Sequence, residues 1–385
     1  MFKCDSVIEQ LQKSEGALYL KIRPFELERW LPAHSCEYDL AGSVVKSLKL
    51  GELVDEIDLD IELMHGPTNG AEELRNGVSG LYSNVNEDNV LIVNGTTEGN
   101  FLALTYLLEP GDEVILGGIP TYLQCARLAE ALGAKVKFFY LNEEENYKVN
   151  IDSLTEAVSS KTKMIIITSP NNPTGSRFSP KEIHDICEVA KGVNAYVLAD
   201  EVLRYTELDG VLSLSPAEIY EKGISTGSIS KLGLAGLRTG WIVADKDLIK
   251  QLWAQKDYTT LATPILSDYV SMFALQKENI KKIIKRARNI CKTNLEILSK
   301  WLMENKYLKC LTPLAGAVAF PQYEFNMVSV EFCKKLLNEK SILLTPGDYF
   351  MAPKHFRIQY GGVDRETLKI VLGRINDFFD VLPET

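Results

Sequence analysis

The sequence has few basic residues, no long apolar run and no apolar segment at its start. Its 385 residues include 42 Lys or Arg and 52 Asp or Glu, for a net charge of −10. Nucleic-acid binding without sequence preference needs a basic surface, so no nucleic-acid partner is expected. No run approaches the roughly 20 apolar residues of a membrane helix, so no membrane association is expected. The opening segment MFKCDSVIEQLQKSEG lacks a signal core, which favours a cytoplasmic protein.

Cysteine and histidine are too scattered to suggest a disulfide framework or a metal site. The seven cysteines, an odd number without any C-x-x-C pair, are Cys4, Cys36, Cys125, Cys187, Cys291, Cys310 and Cys333. This usage is typical of reduced thiols in a cytoplasm. The four histidines, His34, His65, His184 and His355, form no close cluster with cysteine. We therefore expect no metal.

The middle of the chain alternates between apolar runs and segments with helical spacing. Strands are predicted at 90–95, 113–118, 135–141, 164–170 and 195–201, and helices at 70–82, 96–108, 122–133 and 179–192. Dense apolar strands that alternate with helices are typical of a mostly parallel sheet with helices on both faces. The predicted fold class is therefore α/β, with a three-layer large domain.

The two ends of the chain have a different character. The first 35 residues look helical and polar, and a long helical region is predicted at about 244–303. Short strands near 317–323 and 355–361 follow, with a helix between them and another at the end. These patterns predict a smaller α+β domain made of residues 1–44, including an N-terminal arm, and 261–385. The large domain would then span 45–260.

Polar residues follow several of the predicted strands, where α/β sheets bind their ligands. NGTTEG (94–99) opens a helix, whose free N–H groups attract anions, although many strand–helix turns bind nothing. SPNNPTG (169–175) fixes two asparagines in a rigid loop; alone, it could equally be an Asn-Pro turn. Asp200 ends a third strand, where a carboxylate is costly unless it is paired, and it could also be a helix cap.

The segment SISKLGLAGLRTGW (228–241) carries the strongest signal for chemistry. Lys231 lies among hydroxyl groups and glycines. A lysine in a fairly dry site can form a Schiff base with an aldehyde cofactor. Ser228, Ser230 and Arg238 look like a phosphate cradle, because arginine matches phosphate by its fork geometry. The alternative is a surface lysine in a glycine-rich loop.

Together these motifs resemble the class I/II aminotransferases, which are pyridoxal-phosphate enzymes of fold type I. The resemblance runs from about Tyr38 to the C-terminus. SPNNPTG, the Asp-Glu pair after an apolar strand, S-x-S-K, GLAGLRTGW and the late FRIQYG occur in the family's order. The resemblance implies pyridoxal 5'-phosphate as cofactor, an amino acid and a 2-oxo acid as substrates, and a homodimer.

The resemblance also implies a role for each matching residue. Lys231 would hold the cofactor as an internal aldimine and shuttle a proton between the substrate Cα and the cofactor. Asp200 would pair with the pyridinium nitrogen, Asn172 would donate to the phenolic oxygen, and Arg357 would clamp the substrate carboxylate. The remaining implied contacts are Tyr122 stacked on the ring, Thr96, Thr97, Ser228, Ser230 and Arg238 on the phosphate, Gly95 shaping the phosphate turn, Gly42 near the substrate carboxylate, and His65 reaching the partner subunit's phosphate.

Three positions depart from the family pattern. Leu203 stands where a tyrosine usually donates to the phenolic oxygen, and Tyr205, two residues later, is a possible substitute. His65 replaces a tyrosine that commonly reaches the neighbouring subunit. The interval from Lys231 to Arg238 is one residue shorter than expected.

The same fold and cofactor serve more than one reaction. We expect an aminotransferase that moves an amino group from an amino acid to a 2-oxo acid. The alternative is a lyase, cyclase or other amino-acid-transforming enzyme with the same lysine and aspartate. A non-catalytic, cofactor-binding regulator is the third interpretation; the acidic charge and the presence of Lys231 disfavour it.

Overall fold

The computed structural model describes residues 22–54 and 56–382, which form fourteen strands and twelve α-helices. The strands are β1 (Tyr38–Asp39), β2 (Val90–Val93), β3 (Glu113–Ile119), β4 (Lys135–Tyr140), β5 (Thr162–Thr168), β6 (Tyr196–Asp200), β7 (Gly223–Ser228), β8 (Gly240–Val243), β9 (Leu308–Lys309), β10 (Val318–Ala319), β11 (Gln322–Tyr323), β12 (Ile342–Leu343), β13 (Thr345–Pro346) and β14 (Phe356–Gln359). The helices are α1 (Glu26–Trp30), α2 (Glu72–Ser79), α3 (Thr96–Leu107), α4 (Gln124–Ala131), α5 (Ile151–Ala157), α6 (Pro180–Gly192), α7 (Pro216–Ile219), α8 (Lys246–Lys256), α9 (Ile265–Leu275), α10 (Lys277–Glu304), α11 (Ser329–Lys340) and α12 (Arg365–Phe379). No helix within these ranges is long and apolar enough to cross a bilayer.

A seven-stranded sheet forms the centre of the fold, in the order β2-β8-β7-β6-β5-β3-β4. Strand β8 runs antiparallel to both of its neighbours, and the other pairings are parallel. The predicted α/β class with a mostly parallel sheet is therefore confirmed. All five predicted strands and the helices that connect them are present, with ends that shift by up to three residues.

Both faces of the sheet are buried, which explains the uninterrupted apolar runs in its strands. On β5, Met164 and Ile166 pack with the core on one face, whereas Ile165 and Ile167 pack with the core on the other. Successive side chains of a strand point to opposite faces, so a doubly covered strand must be apolar throughout.

The helical region predicted at about 244–303 consists of three helices, α8, α9 and α10. Residues 257–264 separate the first two, and Gln276 separates the second from the third. Two sheet strands, β7 and β8, were not predicted. The sequence of β7, GISTGS, has only one large apolar residue, yet all six residues are buried. Small and hydroxyl-bearing residues conceal a central strand from any search for apolar runs.

The remaining strands form three small sheets, one of which joins an early segment of the described chain to a late one. β1 pairs in parallel with β12, β14 lies between β10 and β13, and β9 pairs with β11. The predicted helical start of the chain is seen only as α1, and residues 1–21 lie outside the described range. The domain limits at 44/45 and 260/261 stay a prediction.

One close backbone approach sets the position of the loop that precedes α3. A Cβ added at Gly240 would lie 2.7 Å from Gly95 Cα and 2.8 Å from Thr96 N. Neither backbone atom can move aside without displacing the start of the helix.

We predict that Gly240→Ala lowers the free energy of unfolding by about 1–3 kcal/mol, the usual cost of overpacking. Gly373→Ala is the matched control, because Gly373 is exposed in α12 and a Cβ there meets nothing within 4 Å. That change should raise the stability by about 0.5–1 kcal/mol through helix propensity. Urea denaturation measures both; equal effects of the two substitutions would contradict the close approach.

Candidate active site

A cavity of about 430 Å³ opens at the carboxyl edge of the central sheet. It is lined by Phe25, Leu27, Glu28, Arg29, Leu31, Ser43, Thr96, Thr97, Tyr122, Gln124, Thr168, Asn172, Asp200, Val202, Ser230, Lys231, Ala235, Arg238 and Arg357. Nine of these residues were predicted from the sequence, and they come from segments far apart in the chain.

The parallel strands explain how these residues meet. Asp200 is the last residue of β6, Ser230 and Lys231 follow β7, and Thr96 opens α3 directly after β2. Arg238 precedes β8, whose antiparallel direction places its start at the same edge. The short interval between Lys231 and Arg238 contains two 3₁₀ turns, and both residues still line the cavity.

Lys231 is held with its amine inside the cavity. Its Nζ donates a hydrogen bond to Ser43 Oγ at 2.8 Å. Burial, and then the nearby charge of Arg357, lower the pKa of Lys231 to about 8, against the opposing charges of Asp200 and Glu28. A lysine with this pKa carries an unprotonated, nucleophilic amine in a sizeable fraction of molecules near neutral pH.

Asp200 is buried and held by neutral donors. Its Oδ1 accepts from the Val202 amide at 3.0 Å, and its Oδ2 accepts from Asn100 Nδ2 at 3.1 Å. Thr226 in turn donates to Asn100 Oδ1 at 2.7 Å and fixes the amide orientation. Burial raises the pKa of Asp200, and the hydrogen bonds and the charge of Lys231 oppose that rise. A cationic ligand group beside this carboxylate would relieve the desolvation cost.

Arg357 on β14 lies buried against the ring of Phe350, with its guanidinium carbon 5.1 Å from the ring centroid. Nη1 donates to Asn172 Oδ1 at 2.8 Å, and Nη2 donates to the Ala41 carbonyl at 2.6 Å. Its buried Nε has no hydrogen-bond partner among the described residues. Burial lowers the pKa of Arg357 to about 10, so the side chain stays cationic at neutral pH.

The amino end of α3 forms one side of the cavity. Thr96, Thr97, Ser230 and Arg238 all line it. Gly95 precedes the helix with φ of 82°, and a Cβ there would lie 2.3 Å from Arg238 Nη2. Glycine therefore lets the guanidinium lie directly over the helix start, where N–H groups and the helix dipole favour an anion.

Four predicted residues do not line the cavity. Gly95 shapes the loop beneath it, and Ser228 is buried behind it, with Oγ accepting from the Ser230 amide at 3.2 Å. Gly42 lies between Ala41, which binds Arg357, and Ser43, which binds Lys231. His65 is exposed and does not reach the cavity of its own chain.

Leu203 and Tyr205 both lie away from the cavity. Leu203 is buried beside Gly316, and the residue of this loop that lines the cavity is Val202. Tyr205 donates its hydroxyl to the Leu81 carbonyl at 2.9 Å. Tyr205 therefore does not substitute for the missing family tyrosine.

Several cavity residues escaped the sequence analysis. The most consequential are Glu28 and Ser43. Tyr122 donates its hydroxyl to Glu28 Oε1 at 2.8 Å, and Ser43 accepts from Lys231. Neither residue belongs to a strand-end motif. For Ser43 the one available signal was its position next to Gly42, and Glu28 had none.

The cavity fits pyridoxal phosphate on its own chemistry. It offers an amine with a lowered pKa, a buried carboxylate without a cationic hydrogen-bond partner among the described residues, and a helix start covered by a guanidinium. These features match an aldehyde, a ring nitrogen that binds a proton, and a phosphate.

Comparisons with known proteins agree with this assignment. The family model for aminotransferase class I and II matches residues 60–375. A PLP-dependent aminotransferase from Streptococcus suis has a solved structure with a TM-score of 0.88 and 32% identity, covering 95% of this chain and 100% of its own.

Two curated relatives differ in their named activities. Capreomycidine synthase from Streptomyces vinaceus is 27% identical, with 87% of this chain and 88% of the relative covered. Aspartate aminotransferase from Sulfolobus acidocaldarius is 28% identical, with 81% and 82% covered.

We predict that in the apoprotein the labelling of Lys231 by an amine-acylating reagent rises through pH about 8, measured by peptide mass spectrometry. An ordinary lysine would show this rise at about pH 10.4. Glu28→Gln should move the inflection to lower pH, because the Glu28 carboxylate raises the pKa of Lys231. Glu26→Gln, an exposed change on the same helix, should leave it in place. An inflection near pH 10 in the unaltered protein would contradict the lowered pKa.

Proposed function

The chain belongs to the class I and II aminotransferases, and we propose that it moves the amino group of an amino acid to a 2-oxo acid with Lys231 as its catalytic residue. The observation that carries this proposal is the meeting of Lys231, Asp200 and Arg357 in one cavity. Pyridoxal 5'-phosphate is the cofactor of enzymes of this type. A cytoplasmic location stays a prediction.

Lys231 is the residue that reacts and moves protons. When bound, the cofactor supplies an aldehyde that captures amino groups and a ring that accepts electrons from the substrate Cα. The lowered pKa of Lys231 provides the unprotonated amine that binds the aldehyde. Lys231 Nζ would also take the proton from the substrate Cα and return it, acting first as general base and then as general acid. Ser43 orients Nζ in the resting protein.

Asp200 holds a proton at the ring nitrogen of the cofactor. Its hydrogen bonds from Asn100 and the Val202 amide keep the carboxylate in one orientation. A carboxylate in this buried position favours a cation opposite it, and a protonated ring nitrogen is that cation. Tyr122 lies in the same cavity and would pack on the ring face.

Arg357 and Asn172 bind the two ends of the reacting unit. The hydrogen bond from Arg357 fixes the Asn172 amide, so that its oxygen faces Arg357 and its NH₂ group remains available for the phenolic oxygen. The guanidinium binds the substrate carboxylate, which orients the Cα proton towards Lys231. Gly42 leaves the backbone near this carboxylate without a side chain.

The phosphate is bound at the amino end of α3. Thr96, Thr97 and Ser230 offer hydroxyl and N–H donors there, and Arg238 offers a charged fork. Gly95 and Ser228 support this site without lining it. Gly95 leaves room for the Arg238 guanidinium, and Ser228 fixes the loop that carries Ser230.

A lyase or cyclase reaction is the second candidate. It is favoured by the similarity to capreomycidine synthase, whose name is not that of an aminotransferase. It is also favoured by Leu203, since no tyrosine at that position donates to the phenolic oxygen. The same Lys231 and Asp200 would serve either outcome, so the products decide between them.

The test of the function starts from the holoenzyme. Borohydride reduction followed by peptide mapping should place the pyridoxyl group on Lys231. Lys231→Ala should still bind the cofactor but lose turnover by about two orders of magnitude or more, since the general acid–base catalyst is removed. Lys231→Arg controls for the lost charge and should be equally inactive.

Product analysis then separates the two candidates. Turnover that requires a 2-oxo acid and yields a new amino acid is transamination. Ammonia and pyruvate from a β-substituted amino acid, without any 2-oxo acid, would favour the lyase. An adduct on another lysine would overturn the catalytic assignment itself.

We propose that the working unit is a homodimer and that His65 reaches the phosphate site of the partner subunit. In support, His65 is exposed and outside its own cavity, and Leu59, Leu63 and Met64 beside it are exposed apolar residues. Apolar exposure of this kind is typical of an interface.

Mixed dimers test this arrangement. His65→Ala should weaken cofactor affinity, because a donor to the phosphate is lost. The control His184→Ala, at an exposed position of α6, should leave the affinity unchanged. A hybrid of a Lys231→Ala chain and a His65→Ala chain contains one complete site if His65 acts across the interface. Cofactor affinity at that site, measured by absorbance titration, should return to the wild-type value. A hybrid as weak as the His65→Ala homodimer, or a fully active monomer, would refute the arrangement.

A further inference from the structure

Helix α1 brings a carboxylate into the cavity from the N-terminal segment. Leu27 is buried, and Trp30 donates its indole N–H to the Leu344 carbonyl at 2.9 Å, so both ends of this short helix are fixed to the body. Glu28 lines the cavity between them, and its Oε1 accepts the Tyr122 hydroxyl at 2.8 Å. The carboxylate is thus held in one position beside the ring that is proposed to cover the cofactor.

The proposed chemistry leaves this carboxylate without a counter-charge. Of the six charged residues that line the cavity, Asp200 serves the ring nitrogen, Lys231 the aldehyde, Arg238 the phosphate and Arg357 the substrate carboxylate. Only Glu28 and Arg29 remain. Within the described residues, Glu28 forms no ion pair, and its Oε2 accepts no hydrogen bond. Its negative charge raises the pKa of two cationic side chains of the cavity, Lys231 and Arg357.

We propose that Glu28 binds the cationic end of the substrate's side chain, so that the amino donor is a basic amino acid with a terminal ammonium or guanidinium group. The proposal rests on the function proposed above, since it takes the substrate carboxylate to be on Arg357. A donor held at both ends would be fixed with its Cα between the two contacts. A charged group that binds inside a cavity needs an opposite charge there, and Glu28 supplies it.

Arg29 is the competing anchor, and it favours an acidic donor instead. It also lines the cavity, but its side chain is exposed. Within the described residues no hydrogen bond fixes its guanidinium, whereas Tyr122 fixes Glu28. An exposed, unfixed side chain contributes little binding, because it must lose its conformational freedom and competes with water. The geometry therefore favours Glu28.

The first experiment uses ligands that lack the α-amino group of a substrate, and the unchanged absorbance of the cofactor confirms that the terminal amine of 6-aminohexanoate has not condensed with the aldehyde. The holoenzyme is titrated by calorimetry with 6-aminohexanoate, hexanoate and adipate, which share one chain length and one carboxylate but end in a cation, a methyl group or an anion. We expect 6-aminohexanoate to bind tightest, by about tenfold or more over hexanoate, as for a charge-assisted contact. Arg357→Lys should weaken all three ligands, because they share the carboxylate.

The matched variants are Glu28→Gln and Glu26→Gln. Glutamine keeps an oxygen for the Tyr122 hydroxyl, so the loss is confined to the charge. Glu28→Gln should bring 6-aminohexanoate and hexanoate to within about twofold of each other, whereas Glu26→Gln, exposed on the same helix, should keep the preference. Equal binding of the three ligands by the wild type, tightest binding of adipate, or no measurable binding of 6-aminohexanoate would each overturn the proposal.

The second experiment measures kcat/KM for lysine, ornithine and arginine against norleucine and aspartate. At least one basic donor should exceed norleucine, and Glu28→Gln should bring the ratio of kcat/KM for that donor to kcat/KM for norleucine down to about one. The ratio is the quantity compared, because the lost charge also changes the pKa of Lys231 and so affects both donors alike. Comparison of the three basic donors distinguishes ammonium from guanidinium. A better rate with aspartate or norleucine than with every basic donor would overturn the proposal while leaving the aminotransferase function intact. Failure of the function itself has a different signature, the lack of a pyridoxyl group on Lys231.

Discussion

The direction of the strands is the constraint on which the cavity depends. Because β2, β5, β6 and β7 all run the same way, the loops that follow them open at one edge of the sheet. Strand β8 runs the opposite way, so Arg238, two residues before its start, reaches the same edge. Without this geometry, the helix start, the carboxylate and the lysine would lie at opposite ends of the strands, one strand length apart.

Burial in this cavity lowers the pKa of basic side chains and raises the pKa of acidic ones. It lowers the pKa of Lys231 to about 8 and of Arg357 to about 10, and it raises the pKa of Asp200. Each shift favours the neutral form of the group. The ordinary pKa values of the three groups, however, lie at different distances from neutral pH. Arginine stays charged, whereas lysine comes into a range where a free amine is available. One dry site can therefore hold a permanent cation for binding and a switchable one for proton transfer.

Sequence patterns predicted those cavity residues that stand next to the end of a recognisable strand or in a distinctive motif. Asp200 and Asn172 stand at or just past the ends of predicted apolar strands, so their placement at one edge followed from the α/β pattern. Lys231 follows β7, which was not predicted, and was found from the SISKLGLAGLRTGW segment instead. Glu28 and Ser43 could not be found this way, because their positions depend on contacts across 94 residues of chain, from Tyr122 to Glu28, and across 188 residues, from Lys231 to Ser43. The fold was harder to predict where side chains are small. Strand β7 has only one large apolar residue, and it is buried because it lies between other strands of the sheet. His65 was assigned to the partner subunit's site from the family resemblance alone.

The parallel pairing of β1 with β12 has a consequence for the order of events during synthesis. Thr345 donates to the Ala41 carbonyl across a separation of 304 residues, and Arg357 reaches the same carbonyl across 316. A nascent chain can pair all seven strands of the central sheet once residue 243 has left the ribosome. The segment around Ala41 is made before the central sheet, but its partners, β12, Thr345 and Arg357, are made after that sheet is complete. The pairing of this early segment therefore follows the pairing of the central sheet, and a chain that stops before residue 342 lacks both β12 and Arg357.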